Sequence, residues 1–191
     1  MNEKVKKLIK KSYDKNEANK ASSFIFSDKA KEKLIERGKD VLQNYPYHPG
    51  LCASMSALWA ALIRDNTDYP IHAVAGSLFI DDYHAFGRDE SKDNYKNAFL
   101  QSNKDWDGHC WVVIGEYIGD ISLFRSAYSK KSSKKLKNKI ISKFGKKRGL
   151  FVAQETELKT IGLKYEPLYV IKNNEITSLV KGALAIFDNN K

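Results

Sequence analysis

Residues 48–64 read HPGLCASMSALWAALIR, and this stretch decides the fold. Pro49 and Gly50 interrupt any regular structure before Cys52, whereas the Ala and Leu residues after it favour a helix. The apolar side chains cover nearly the whole circumference of that helix, as they do in a helix buried at the centre of a domain. The sequence therefore predicts a buried central helix that begins at Cys52.

The segments around this helix alternate between strand and helix patterns. We predict strands at residues 71–80, 109–114, 117–124, 149–154 and 164–172. Further helices are predicted at residues 3–11, at residues 28–42 with Ser27 as the N-cap, and at residues 176–187. Gly76 is a candidate bulge within the first strand. The pattern predicts an α+β domain, with the central helix packed on a largely antiparallel sheet.

Length and composition bound the class of protein. A chain of 191 residues with 42% hydrophobic content suits one well-buried core, so we predict a single domain over residues 27–191 after a basic helical leader, residues 1–26. The leader lacks an apolar stretch long enough for a signal peptide or a membrane span, which predicts a cytoplasmic location. Two cysteines without CxxC spacing predict free thiols, and neither a metal nor a cofactor.

The formal net charge of +10 is concentrated in one part of the chain. The basic run of residues 130–148 contains Lys130, Lys131, Lys134, Lys135, Lys137, Lys139, Lys143, Lys146, Lys147 and Arg148. Such a run can bind nucleic acid or acidic lipid. It has few aromatic residues to stack on bases, so a solvated basic surface is the favoured interpretation.

The polar residues 81–108 form a long connection between two predicted strands. A connection of this length in a compact domain is often a lid or a binding loop, and we predict at most one short helix in it, around residues 92–100. His84 in this loop is a weaker candidate for substrate contact. His48 and His72 are interpreted as structural residues of a turn and a strand.

Three residues in chain order, Cys52, His109 and Asp120, have the side chains of an activated cysteine nucleophile. A two-residue turn at Gly115 and Glu116 would place His109 and Asp120 on one face of a hairpin, as diagonal neighbours. A two-residue turn shifted back by one residue keeps them on one face, but a three-residue turn separates them. The predicted pairing therefore depends on the length of the turn.

The two cysteines differ in their surroundings. Cys110 follows His109 in the strand and must point to the opposite face, so we predict a thiol packed in the core. Cys52 lies at a helix start, where free N–H groups and a neighbouring imidazolium lower a thiol pKa. Strand alternation also disfavours one metal ion bound by Cys52, His109 and Cys110.

Two segments carry a family resemblance. The sequence HPGLCASMSALWAALIRDNTDYPIHAVAG, together with GHCWVVIGEYIGDISL, resembles the transglutaminase-like superfamily over roughly residues 48–80 and 108–124. The resemblance implies a papain-like core with Cys52 as nucleophile, His109 as general base and Asp120 as the residue that orients His109. The second oxyanion donor of that family has no unique match here, because Gln43, Tyr45 and Tyr47 all qualify.

The expected activity is cysteine-dependent acyl transfer, in the form of hydrolysis of a peptide or protein amide through an acyl-enzyme. A transglutaminase, or an amine acyltransferase that uses a small-molecule acyl donor, would employ the same triad. An alternative from another functional class is a non-catalytic binding protein, in which the basic run binds nucleic acid or an acidic protein. A third possibility is a family member that has lost catalytic turnover, and the presence of Cys52, His109 and Asp120 argues against it.

Overall fold

The computed structural model describes residues 1–46, 48, 50–87, 99 and 107–188, which form eight helices and six strands. The helices are α1 (Glu3–Ser12), α2 (Lys15–Ser23), α3 (Asp28–Asn44), α4 (Cys52–Asn66), α5 (Leu123–Tyr128), α6 (Lys134–Phe144), α7 (Glu155–Leu158) and α8 (Asn173–Asp188). The strands are β1 (Ile71–Ile80), β2 (Tyr83–Phe86), β3 (His109–Ile114), β4 (Tyr117–Asp120), β5 (Phe151–Gln154) and β6 (Leu163–Val170). All pairings between these strands are antiparallel, which confirms an α+β protein.

Strand β1 organises the sheet, because its long apolar run is buried along almost its whole length. One edge of β1 pairs with β6 over residues 74–80. The other edge pairs with β3 over residues 71–76 and with β2 over residues 78–80, and β4 and β5 follow outward from β3. Strands β2 and β3 therefore meet end to end, and this junction positions the candidate site.

Helix α4 packs on one face of the sheet, with α3 and α8 packed against it. Its Trp59 is fully buried and donates from Nε1 to the carbonyl oxygen of Leu34, 3.0 Å away. The side chains of Cys110, Val112 and Ile114 belong to the core on this face. Residues Trp111 and Val113 belong to a second core on the opposite face, which α1 and α2 cover.

Most of the predicted elements are confirmed. The central helix begins at Cys52, Ser27 caps α3 through the backbone N–H of Ala30, and the register of β1 against β6 shifts between Ala75 and Gly76. A Cβ atom at Gly76 would overlap the backbone of β6, so this close approach requires glycine. No helix in the described ranges is long and apolar enough to cross a membrane.

Two predictions of secondary structure are wrong. The strand predicted over residues 117–124 ends at Asp120, because its carboxylate accepts the backbone N–H groups of Ser122 and Leu123 and turns the chain into α5. The polar loop contains the strand β2, which pairing with β1 stabilises despite its weak local pattern. The basic run, for which the sequence led to no prediction of secondary structure, contains α6, whose buried Leu136 and Ile140 are spaced four residues apart.

The rest of the long connection lies outside the described residues, apart from single positions such as the buried Phe99. The short helix predicted around residues 92–100 and the lid predicted for the loop fall there.

Candidate active site

His109 and Asp120 form a hydrogen-bonded pair in the interior. The two residues are 1% and 0% exposed, and His109 Nε2 lies 2.5 Å from Asp120 Oδ2. The hairpin that joins them has the two-residue turn, with Ile114 opposite Tyr117 and φ of +56° at Gly115. The predicted turn length is thus confirmed, and it places both side chains on one face of the sheet.

The Asp120 carboxylate is surrounded by hydrogen-bond donors. Besides His109, it accepts bonds from the backbone N–H groups of Ser122 and Leu123, both at 2.9 Å, and from the Tyr165 hydroxyl at 2.8 Å. Burial opposes the charged form, but the positive charge of His109 and these bonds outweigh it and lower the pKa of Asp120. The carboxylate is therefore ionised at neutral pH.

An ionised Asp120 fixes the tautomer of its partner. A carboxylate only accepts hydrogen bonds, so the proton of a neutral His109 lies on Nε2 and the lone pair on Nδ1. Burial alone would lower the pKa of His109, but the charges of Asp120 and of an ionised Cys52 raise it. The ring also stacks on Phe86 of β2, with centroids 4.9 Å apart, which restricts its rotation.

Cys52 lies beside the first residues of β3. Its thiol donates to the carbonyl oxygen of Gly108, 3.9 Å from Sγ, and it also interacts with the thiol of Cys110. These contacts are with the residues directly before and after His109, so the sulfur is held against the end of the strand that carries the imidazole. The interaction of Cys52 with His109 is electrostatic, without a thiol–imidazole hydrogen bond among the described contacts.

Several groups favour the thiolate of Cys52. The largest effect on the pKa of Cys52 is the hydrogen bond with Cys110, which lowers it. Burial raises this pKa, but the charge of His109 lowers it further, and the net shift is downward. The backbone N–H of Ala53 contributes as well, and the helix N-cap Leu51 has no side chain that competes for the free N–H groups. Burial raises the pKa of Cys110 well above the ordinary value, so Cys110 is the protonated member of the pair.

Cys110 is a core thiol, as predicted, but it has a further role. It is fully buried on the face of the sheet that packs on α4, opposite to the His109 ring. The sequence prediction missed its contact with Cys52, because strand alternation indicates which face a residue occupies but not which helix end covers that face.

Cys52 and His109 line a common cavity of about 390 Å³, which is within the usual size of a small-ligand pocket. Its lining residues are His48, Gly50, Leu51, Cys52, Met55, Tyr83, Ala85, Phe86, Asp107, Gly108, His109, Ser122, Arg125, Ser126, Ser129, Lys131, Ser132, Ser133 and Leu136. Asp120 lies behind His109 and does not line the cavity. The geometry thus provides a thiol and an imidazole accessible from one cavity, with a buried carboxylate behind the imidazole.

Two of the remaining histidines, His48 and His84, differ from expectation in their relation to the cavity. His48, interpreted as a structural turn residue, lines the cavity, whereas His84 stacks on Phe79 at 4.1 Å and is not among the lining residues. His72 is fully buried and, as predicted, structural. Its Nδ1 lies 2.9 Å from the guanidinium of Arg64.

The two candidate oxyanion donors that the structure describes, Gln43 and Tyr45, do not line the cavity. Tyr45 packs its ring on Phe187, 5.3 Å between centroids, and Gln43 is exposed on α3. Tyr47 lies outside the described residues. The start of α4, where no side chain caps the helix, supplies free backbone N–H groups next to Cys52 that are candidate oxyanion donors.

Tyr165 and Arg125 are the candidate site residues that the sequence prediction missed. Tyr165 reaches Asp120 from β6, and Arg125 lines the cavity while its guanidinium donates to the carbonyl oxygens of Tyr45 and Leu42 at 2.9 and 2.6 Å. Alternation in β6 indicates that Tyr165 faces inward. The carboxylate that it meets depends on strand pairing over a long sequence distance, which local pattern does not contain.

The described residues contain no group of three or more His, Cys, Asp or Glu side chains arranged to hold a metal ion. Comparison with protein-family profiles, with curated proteins and with solved structures finds no match to this chain. The functional conclusion therefore rests on the geometry of the site.

Proposed function

We propose that this protein is a cysteine-dependent acyl-transfer enzyme that hydrolyses a peptide or amide bond. The observation that carries the proposal is the buried hydrogen bond between His109 and Asp120, beside the thiol of Cys52 in one cavity. Burying an ionised carboxylate is costly, and packing alone does not require one at this position. A catalytic triad requires such a carboxylate, because it orients the imidazole and stabilises the charged form of the imidazole.

In the acylation step, the Cys52 thiolate attacks the substrate carbonyl carbon. The C–S bond forms as the carbonyl π electrons move to oxygen, and in the proposed step the backbone N–H of Cys52 stabilises the resulting oxyanion. Collapse of this intermediate breaks the C–N bond, and protonated His109 donates its proton from Nδ1 to the leaving amine. The products of the step are a thioester on Cys52, a free amine and neutral His109.

In the deacylation step, neutral His109 acts as a base. Its Nδ1 accepts a proton from water, the oxygen attacks the thioester carbonyl, and the C–S bond breaks to release a carboxylic acid and the Cys52 thiolate. An amine in place of water would give transamidation with the same three residues. Hydrolysis is the proposed outcome because water is always available to an open cavity.

A papain-like core is the fold proposal that accompanies this function. Its support is the helix that presents Cys52 at its first turn and packs on an antiparallel sheet that presents His109 and Asp120. The resemblance of residues 48–80 and 108–124 to the transglutaminase-like superfamily agrees with this arrangement.

The first test is the rate of Cys52 alkylation against pH, followed by peptide mass spectrometry. We expect Cys52 to react well below the ordinary thiol pKa of about 8.5, with Cys110 unreactive because its thiol is buried and protonated. His109→Ala removes the imidazolium and should abolish the reaction at low pH. Labelling of Cys52 like a free thiol, unchanged in His109→Ala, would refute the proposal.

The alternative of a binder without catalysis makes a separate prediction. Lys139 and Lys143 bind Asp81 at 3.0 and 2.7 Å, but most of the basic run is exposed. Binding of a polyanion by this surface should weaken steeply with salt and be indifferent to Cys52→Ala.

A further inference from the structure

The two walls of the cavity differ in chemistry. One wall carries Cys52 and His109, whereas a second wall is formed by α5, the turn after it and the start of α6. This second wall, called the serine–cation wall here, consists of Arg125, Ser126, Ser129, Lys131, Ser132 and Ser133. It offers hydroxyl groups and two cations in the same cavity as the nucleophile.

In the part of the chain that the structure describes, the cations of the serine–cation wall form no ion pair with a carboxylate. Neither Arg125 nor Lys131 has a carboxylate within ion-pair distance among the residues that the structure describes, and Asp107 is the one carboxylate that lines the cavity. Arg125 is held in place by two backbone carbonyls at the end of α3, so its charge is fixed at the cavity. A pocket with fixed positive charge and low-dielectric walls concentrates anions.

The positive field continues outside the cavity along α6. Lys130 and Lys134 are exposed, and Lys135 places its ammonium 4.6 Å from the centre of the Tyr83 ring, which itself lines the cavity. A ligand longer than the cavity would therefore meet further cations in the direction of α6.

We propose that the substrate of Cys52 is an acidic peptide segment, whose Asp or Glu carboxylate binds the serine–cation wall while its amide carbonyl meets the thiol. This inference rests on the proposed acyl transfer, which requires an amide or ester acyl group, and the phosphodiester backbone of a polynucleotide contains none. The two aromatic rings at the cavity are also partly covered, Tyr83 by Lys135 and Phe86 by His109, which reduces their use for base stacking.

The first experiment compares two alkylating reagents at Cys52, the anion iodoacetate and the neutral iodoacetamide. Both reagents react with the same thiolate, so its intrinsic reactivity cancels in the ratio of the two rate constants. The ratio therefore reports the electrostatic potential at Cys52. At low salt we expect Lys131→Glu to lower this ratio about five-fold and Lys131→Ala about two-fold, and we expect the effect to vanish at 1 M salt. Lys131 is exposed, so neither variant should affect folding.

The matched control is Lys29→Glu, which makes the same charge change at an exposed lysine. Lys29 lies near the start of α3, whereas Arg125 contacts the C-terminal end of that helix. At a rise of 1.5 Å per residue, Lys29 is about 20 Å from the end that Arg125 contacts. A ratio that falls equally in Lys131→Glu and Lys29→Glu would overturn the proposal, because it would show an effect of net charge alone.

The second experiment measures binding without chemistry. A fluorescent glutamate-rich decapeptide is titrated into Cys52→Ala, and anisotropy is followed in the presence and absence of Lys131→Glu. Binding that Lys131→Glu weakens and Lys29→Glu does not would support the proposal even if Cys52 proves unreactive. Absence of binding, or displacement by a single-stranded oligonucleotide of equal charge at lower concentration, would overturn it.

Discussion

Asp120→Asn tests the role of the buried carboxylate most directly. The change is nearly isosteric, and an amide oxygen in the place of Oδ1 can still accept the N–H groups of Ser122 and Leu123. The amide NH₂ then faces His109 Nε2, where two donors would meet unless the histidine changes tautomer. With the proton on Nδ1, His109 can no longer take one from the thiol.

The size of the effect follows from the ionisation of Cys52. At pH 6 an ordinary thiol with a pKa of about 8.5 is about 0.3% ionised, so full ionisation would increase the thiolate about 300-fold. The lower nucleophilicity of an acidic thiolate removes about one order of magnitude of that gain. Without Asp120, burial lowers the pKa of His109 and the imidazolium is lost, so we expect Asp120→Asn to reduce alkylation of Cys52 at pH 6 by about ten-fold or more.

The variant should also be less stable. Asp120→Asn replaces charge-assisted bonds from His109 and Tyr165 with neutral or mismatched ones, at a cost of about 2–4 kcal/mol in unfolding free energy. Labelling must therefore be measured at a temperature where circular dichroism shows the folded state. Asp81→Asn, which alters an exposed carboxylate bound by lysines, is the control.

One outcome would refute the reasoning. The negative charge of Asp120 by itself raises the pKa of Cys52, so its removal would accelerate labelling if that direct effect were larger than the loss of the imidazolium. Labelling of folded Asp120→Asn at or above the wild-type rate would thus show that His109 does not activate Cys52.

Three further variants test neighbouring contacts. Tyr165→Phe removes a hydrogen bond that lowers the pKa of the Asp120 carboxylate. The ionised carboxylate stabilises the fold at neutral pH, and this stabilisation is lost as the pH falls through the pKa of Asp120 in the folded state. Because the variant raises that pKa, we expect acid titrations of unfolding to show the loss at a higher pH. Gly119→Ala should destabilise the fold by about 1–3 kcal/mol in thermal or urea unfolding, because its Cβ would lie 2.5 Å from the buried Trp59 ring. Cys110→Ala should slow the low-pH alkylation of Cys52, and an unchanged pH profile would show that the second thiol does not assist ionisation.

Much of the site was predictable because it depends on local sequence. The helix at Cys52 follows from a Pro-Gly break before an Ala- and Leu-rich run, and the shared face of His109 and Asp120 follows from a two-residue turn and the period of a strand. These features involve residues no more than about a dozen positions apart, for which spacing alone determines geometry.

Prediction failed where a contact that the strand pattern does not reveal decides the conformation. The chain leaves β4 at Asp120 because that carboxylate is used to cap α5, and a strand pattern over residues 117–124 does not reveal this use. Likewise, β2 has only four residues and a weak strand pattern. It forms because β3 pairs with β1 only over residues 71–76, which leaves the same edge of β1 available for pairing with β2 over residues 78–80.

By itself, the sequence was enough to propose Cys52, His109 and Asp120 as a candidate triad and to predict that His109 and Asp120 lie on one face of a hairpin. Only the tertiary structure decided that Cys52 contacts Gly108 and Cys110, that Tyr165 donates a hydrogen bond to Asp120, and that the serine–cation wall lines the same cavity as the thiol. The physical reason is that these contacts join segments tens of residues apart. Their positions depend on how α4, β6 and α5 pack against the sheet, and that packing is decided by the whole core rather than by any one stretch of sequence.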